Sequence, residues 1–285
     1  MLLEVEHLRV AFHVDGKLSV PVRDVSFSIA EGARVALVGE SGSGKSLTAL
    51  TLGHLVDRAE IAGTLRGNPR LAYIFQNPMQ SLNPVMRIAA QIKECCTSSK
   101  VPRSIDELLA DVDLPPETAH KYPCQLSGGQ QQRVMIAMAL AAEPDLLIAD
   151  EPTTALDVTT QKEVLDLIDR IADQRGMAVL LITHNLGLVA RHSQFVHVMY
   201  AGEIIESGPV AAVLSTPVHP YTRGLLAAVP SLAAPKDAPL KDIPGVVPPP
   251  WAWPTGCAFH PRCPHAGPDC AHAVRAACQR KALAT

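Results

Sequence analysis

The chain has 285 residues, enough for one large domain or two modest ones with a core of their own. Its 25 Lys and Arg against 28 Asp and Glu give a formal net charge of −3, so no global basic balance argues for nucleic acid as a partner. Apolar residues reach 47%, yet the richest run, residues 134–142, is too short to cross a bilayer. The start, Met1-Leu2-Leu3-Glu4-Val5-Glu6, lacks a basic opening, a hydrophobic stretch and a cleavage site, which predicts a chain that stays in the cytoplasm.

The first forty residues read as strands. Val25, Phe27 and Ile29 alternate with Ser26 and Ser28, giving one buried and one wet face. Glu31-Gly32 turns the chain into Arg34-Val35-Ala36-Leu37-Val38, a nearly continuous apolar run typical of a strand covered on both faces. Gly39-Glu40-Ser41-Gly42-Ser43-Gly44-Lys45-Ser46 follows and matches G-x-x-x-x-G-K-[ST], with a helix expected over residues 44–55. Each part of that motif has a physical task. Small residues let backbone N–H groups wrap phosphates, and a helix start adds unpaired donors and partial positive charge. Lys45 would supply a full charge to the β and γ phosphates, and Ser46 a hydroxyl to Mg²⁺.

Residues 71–75 read as a short strand, and residues 88–142 as mostly helical, broken at Pro115-Pro116 and at Pro123. Within that stretch lies Leu126-Ser127-Gly128-Gly129-Gln130. Strand, helix and strand return over residues 146–150, 160–175 and 178–183, so the expected fold is α/β with a parallel sheet and a helical insertion. The run Leu146-Leu147-Ile148-Ala149 would deliver Asp150 and Glu151 to a strand's C-terminal end, where open α/β sheets hold ligands. Asp150 is then a candidate for Mg²⁺, and Glu151 for orienting or deprotonating an attacking water. Residues 195–200 and 203–207, joined by Ala201-Gly202, read as a hairpin.

After about residue 230 the composition changes. Prolines at 235, 239, 244, 248, 249, 250 and 254 predict a stiff, extended connector, with a cysteine-rich tail hanging beyond it. Cys257, Cys263, Cys270 and Cys278 are separated by five, six and seven residues. Four thiolates suit zinc or an iron–sulfur cluster, and the missing C-x-x-C pairs favour the cluster; an incidental zinc site or plain thiols remain the alternatives. Cys95, Cys96 and Cys124 read as packing residues.

The three motifs, in this order, resemble those of the ABC transporter ATPases over residues 1–230, with the helical subdomain at about 85–142 and a C-terminal extension over residues 231–285. The resemblance implies a RecA-like core, an antiparallel β subdomain and a helical subdomain. Phe75-Gln76-Asn77-Pro78 is similar to the family's Q-loop, whose glutamine contacts Mg²⁺ and senses the membrane partner. Ala155-Leu156-Asp157 is similar to the D-loop, and Thr183-His184 to the switch histidine at the γ-phosphate. By the same resemblance Ser127, Gly128, Gly129 and Gln130 would cap the ATP held by a second ATPase subunit. ATP would thus join two subunits and hydrolysis would release them.

Asn77-Pro78-Met79-Gln80-Ser81-Leu82-Asn83-Pro84, the stretch from Asp150 to Thr159, His219-Pro220-Tyr221-Thr222 and the segment Gly256-Cys257-Ala258-Phe259-His260-Pro261-Arg262-Cys263-Pro264 resemble the peptide and nickel importers of that family. The resemblance implies an energy-coupling ATPase for oligopeptides or dipeptides on the cytoplasmic face of a bacterial inner membrane. Its implied partners are a diverged second ATPase, two permeases and an external binding protein, with a 4Fe-4S centre in the tail. Nickel or metal-chelate import is the rival cargo, and a soluble ABC protein of translation or DNA repair is the rival class. Two departures stand out: Asn185 replaces the usual aspartate after the switch histidine, and residues 94–109 look short. Phe12 is the candidate for stacking on adenine, though a core strand position explains it as well.

Overall fold

Apolar alternation builds the first hairpin. In the computed structural model, which describes residues 1–76, 81–96, 103–154, 156–229 and 242–271, strand β1 (Leu3–Val14) turns at Asp15-Gly16 into β2 (Lys17–Ile29). Both turn residues have positive φ, 49° and 73°, the backbone that a tight hairpin of this twist demands. Val25, Phe27 and Ile29 are buried and Ser26 and Ser28 exposed, as the alternation requires.

The described residues form two compact units, interleaved in sequence. One holds residues 4–28, 35–66 and 183–285. Its strands run in the order β4-β1-β2-β9-β8-β3, where β3 is Arg34–Val38, β4 Glu60–Arg66, β8 Phe195–Tyr200 and β9 Glu203–Pro209. β3 and β8 are parallel, and β8 and β9 form the expected antiparallel hairpin about Ala201-Gly202. β4 pairs antiparallel with β1 across a bulge between Glu6 and Arg9. The sequence gives little sign of β4, because nearly every residue in it is exposed and no alternation marks it. This unit also carries helix α1 (Lys45–Leu52), which stops at Gly53 and so is shorter than expected.

The other unit holds residues 1–3, 29–34 and 67–182. Here β5 (Leu71–Ile74), β6 (Leu146–Asp150) and β7 (Ala178–Thr183) pair in parallel in the order β7-β6-β5. Every residue of β6 is buried, which is why its sequence reads as an unbroken apolar run. The helical stretch resolves into α2 (Ile88–Cys96), α3 (Ile105–Asp111) and α4 (Gly128–Leu140), with single 3₁₀ turns at Pro116–His120 and Pro123–Gln125 where the prolines predicted breaks. Ser104 and Glu107 close a reciprocal cap on α3. Helix α5 (Val158–Arg175) then runs from Asp157 to a left-handed stop at Gly176. No helix among the described residues is long and apolar enough to cross a membrane.

The tail corrects one expectation. Residues 242–270 do not hang away; they pack on the first unit, beside the remaining helices α6 (Leu186–His192), α7 (Val210–Ser215) and α8 (Pro220–Ala227). Ala258 and Phe259 are buried in a core with Val38, Val198, Tyr200 and Tyr221. Trp253 Nε1 donates to the Val20 carbonyl at 2.8 Å, and the Val20 N–H donates to the Pro250 carbonyl at 2.9 Å. A short proline-rich segment cannot build a core alone, so it borrows one. The prolines at 235 and 239 fall outside the described residues. Cys95 and Cys96 are half-buried, but Cys124 is exposed and does not pack.

His197 gives the first unit a pH dependence. Buried between Phe27 and Phe195 with Nδ1 on the Ser207 hydroxyl at 2.8 Å, it is pushed down to about 4 by burial. Above the unfolded value near 6.5 both states are neutral. As pH falls below it, only the unfolded chain gains the proton, so stability declines by ~1.4 kcal/mol per pH unit, or ~2 kcal/mol by about pH 5. His197→Gln should flatten that part of the slope in urea titrations at about pH 7.5 and about pH 5. An identical slope in both proteins would refute the assignment.

Candidate active site

Gly39 to Ser46 joins β3 to α1, strand before and helix after, as the motif needs. Two glycines are dictated by close approach. A Cβ on Gly39 would lie 2.1 Å from the Met199 carbonyl oxygen, and one on Gly44 would lie 2.7 Å from that of Pro21. Gly44 also has φ of 100° at the N-cap of α1, which a side chain would strain. Lys45 is 7% exposed, and its Nζ donates to the carbonyls of Gly39 at 2.8 Å and Glu40 at 2.9 Å and to Ser43 Oγ at 3.3 Å. The loop is therefore wound around its own ammonium. Ser46 is exposed on the first turn of α1.

Glu40 is held by residues far along the chain. Its N–H donates to Tyr221 Oη at 2.8 Å, and its carboxylate takes two Arg262 nitrogens at 2.6 and 3.1 Å. Burial first of all raises the Tyr221 phenol, so its oxygen stays a neutral hydroxyl that accepts from Glu40. Neither contact is visible in a sequence reading, since 181 and 222 residues separate the partners.

In the other unit, Asp150 ends β6 at 5% exposure and accepts from Tyr73 Oη at 2.7 Å. Burial, then the adjoining Asp150 charge, push the Tyr73 phenol well above its ordinary range, so that proton stays on tyrosine. Glu151 has φ of 45°, uncommon for a residue with a side chain, and its N–H donates to the Ile182 carbonyl at 2.9 Å. Its Oε2 receives Gln76 Nε2 at 3.1 Å and Thr154 Oγ1 at 3.0 Å. Tyr73, which no motif includes, and Thr154, whose contact with Glu151 the motif did not reveal, join the candidate site. Of the remaining Q-loop stretch, residues 77–80 lie outside the described residues.

Ser127 is the N-cap of α4, in a reciprocal box with Gln130: Ser127 Oγ accepts the Gln130 N–H at 3.3 Å, and Gln130 Oε1 accepts the Ser127 N–H at 3.0 Å. The next amides, of Gly128 and Gly129, have no acceptor within their own helix. These four residues, with Arg133, Leu156 and Asp157, line an open cleft of ≈ 340 Å³. Ser127 to Gln130 and the D-loop-like Leu156-Asp157 thus share one depression, although Ala155 is outside the described residues. Asp157 turns toward its own helix, accepting from the amides of Thr159 and Thr160 at 3.1 Å each and from Thr160 Oγ1 at 2.7 Å. The Thr160 bonds, foremost, hold its carboxyl below the usual range.

His184 is exposed, immediately after β7. Asn185 caps α6 by accepting the Gly187 N–H at 2.9 Å, so the departure from aspartate keeps the cap without the charge. Phe12 is half-buried on β1.

In the tail, the Cys257 N–H donates to the Cys270 carbonyl at 2.9 Å, bringing the two ends of the segment together, with Cys263 half-buried between them in sequence. No group of three or more His, Cys, Asp or Glu residues forms a metal site among the described residues, and Cys278 lies outside them. For Mg²⁺, the hydroxyl of Ser46, the carboxylate of Asp150 and the amide oxygen of Gln76 are hard oxygen donors of the kind that ion takes.

Comparison with known proteins gives the family and the fold. The family described as ABC transporter matches residues 22–154, and the oligopeptide/dipeptide transporter C-terminal region matches residues 205–270. A protein of Brucella abortus (strain 2308), provisionally named a peptide import ATP-binding protein, is 42% identical over 94% of this chain and 89% of its own. One from Brucella ovis with the same provisional name is 43% identical over 96% and 92%. Among solved structures, a dimeric ATP-binding cassette bound to ADP and phosphate after hydrolysis superposes with a TM-score of 0.65 at 24% identity, covering 73% of this chain and 99% of that one. A cassette of Clostridium perfringens that is part of an ABC transporter complex gives 0.66 at 24% identity, covering 75% and 90%. These two likenesses establish the cassette fold.

Proposed function

This chain belongs to the ABC transporter family and is one of its ATPases, and from that premise we propose that it drives the import of oligopeptides or dipeptides. The observation that carries the cargo class is the oligopeptide/dipeptide C-terminal region joined to relatives named for peptide import. The chain would sit peripherally on the cytoplasmic face of the membrane, as the ATPase domain of residues 1–230 followed by the extension of residues 231–285. Its partners would be a second, diverged ATPase, two permeases and an external binding protein.

We assign the roles residue by residue. The backbone of residues 39–46 and the Lys45 ammonium hold phosphate. Ser46, Asp150 and Gln76 would hold Mg²⁺, which when bound would neutralise phosphate charge. Glu151, steadied by Gln76 and Thr154, accepts the proton of the attacking water, and His184 contacts the γ-phosphate. Ser127, Gly128, Gly129 and Gln130 serve the nucleotide of the partner ATPase: the Ser127 oxygen accepts within its box, yet its hydroxyl proton can still be donated to an anion. Asp157 supports that surface by fixing the start of α5.

The tail reading is a 4Fe-4S centre on Cys257, Cys263, Cys270 and Cys278, supported by the all-thiol donor set and by the backbone bond that joins Cys257 to Cys270. The test of the whole is a pull-down from detergent-solubilised membranes. Two integral membrane proteins should copurify, and the reconstituted complex should raise its ATP turnover with a peptide-loaded binding protein. Stimulation by chelated nickel and not by peptide would transfer the assignment to metal import. The same material prepared without oxygen should be brown, with iron and sulfide in equal amounts; a colourless, zinc-loaded protein would end the cluster reading.

A further inference from the structure

Glu40, the second residue of the phosphate motif, is gripped at all three of its polar groups. Its N–H donates to Tyr221 Oη at 2.8 Å, its carbonyl accepts from Lys45 Nζ at 2.9 Å, and its carboxylate takes the Arg262 fork at 2.6 and 3.1 Å. Arg262 is itself held from several sides. Its Nε donates to the Pro244 carbonyl at 2.8 Å, and Nη2 donates to that of Ile243 at 3.0 Å. Nη1 lies 3.4 Å from Tyr200 Oη, and the guanidinium sits 5.8 Å from the Tyr200 ring centre and 6.0 Å from that of Phe259.

An arginine 8% exposed is costly unless its charge and donors are matched. Here every partner except Glu40 is neutral, so the Glu40 carboxylate is what makes the burial tolerable. The fork is planar and bidentate, a geometry that fixes the orientation as well as the distance of the carboxylate. Fixing Glu40 fixes its carbonyl, and that carbonyl is one of the atoms holding Lys45.

We propose that Arg262 is a positioning residue for the phosphate loop: with Tyr221 it clamps Glu40, and through the Glu40 carbonyl it sets the pose of Lys45, so that the C-terminal segment tunes nucleotide affinity. This rests on residues 39–46 being the phosphate site. The ligand acted upon is the triphosphate of a nucleotide, and the extension takes part in its binding although it carries none of the phosphate motif.

The experiment uses the full chain and reads KM for ATP, kcat and equilibrium ATP binding. Arg262→Lys keeps the charge and the stem but loses the fork, and should raise KM about tenfold while kcat stays within about twofold. Glu40→Gln should raise KM similarly, and the double variant should be no worse than either alone, because both remove one interaction. Additive effects, or a lowered melting temperature with KM unchanged, would overturn the proposal. Should Arg262→Lys fail to fold, Tyr221→Phe removes only the oxygen that receives the Glu40 amide; an unchanged KM there overturns the clamp. Lys45→Ala separates the two ideas: if it binds ATP like the parent, the phosphate-site reading fails, whatever Arg262 does.

Discussion

Glu151→Gln is expected to bind ATP within about twofold of the parent while turnover falls by about 10² to 10⁴, the range a general base supplies. The reasoning is local. Gln76 Nε2 and Thr154 Oγ1 both donate to one oxygen of Glu151, and the backbone is pinned by the bond from its N–H to Ile182. A glutamine carbonyl can accept the same two donors, so the side chain should keep its pose and volume. What it loses is the capacity to take a proton from water. Lys45 and its loop are untouched, so affinity should persist. A nucleotide-loaded, non-turning state is the expected product, seen as ATP retained after gel filtration. Turnover equal to the parent's would remove Glu151 from the chemistry and leave it a conformational residue whose positive φ needs another explanation.

The sequence was most readable where one physical demand acts on consecutive residues. The β6 run Leu146 to Ala149 must be apolar throughout because both faces are covered, and the structure buries all of it. Val25, Phe27 and Ile29 alternate because one face of β2 is wet. The breaks at Pro115-Pro116 and Pro123 follow from a ring that cannot continue a helix, and 3₁₀ turns stand there. Motif residues were readable for a similar reason: Gly39 and Gly44 are required by backbones that come within 3 Å of a Cβ.

Legibility ended where the reason for a residue lies far away in the chain. Tyr73 sits on β5 as an ordinary strand aromatic, and only the pairing of β5 with β6 brings it to Asp150. His219-Pro220-Tyr221-Thr222 was recognisable as a marker of a subgroup, yet nothing in it points to Glu40. The tail has no period of 2 or 3.6, since its packing is made by single side chains such as Trp253, Phe259 and Arg262 filling gaps in another segment's core. A buried arginine looks like any surface arginine until its carboxylate is located. Strand β4 is illegible for the opposite reason: an exposed edge strand carries no burial pattern to read.

Gly129→Asp in this chain should leave the isolated protein's ATP affinity within about twofold and lower turnover of the assembled transporter by about 100-fold or more. The substitution acts in two ways at the start of α4. A Cβ on Gly129 would meet Thr160 Cγ2 at 2.7 Å, and Thr160 cannot swing aside because its Oγ1 is bonded to Asp157. The added carboxylate would also be attracted to the helix's own N-terminal amides, placing a built-in anion in the cleft that we propose for a foreign one. The contact with Thr160 would lower the stability of the α4–α5 junction somewhat, so the melting temperature of the variant is measured beside its turnover. The contrast between the two readouts decides which nucleotide this surface serves. Gly129 is far in sequence from Lys45, and in a shared site it touches only the ATP held by the companion ATPase. If the isolated variant instead loses its own ATP affinity, the stretch Ser127 to Gln130 serves the same chain's nucleotide, and ATP can no longer be the joint between two subunits.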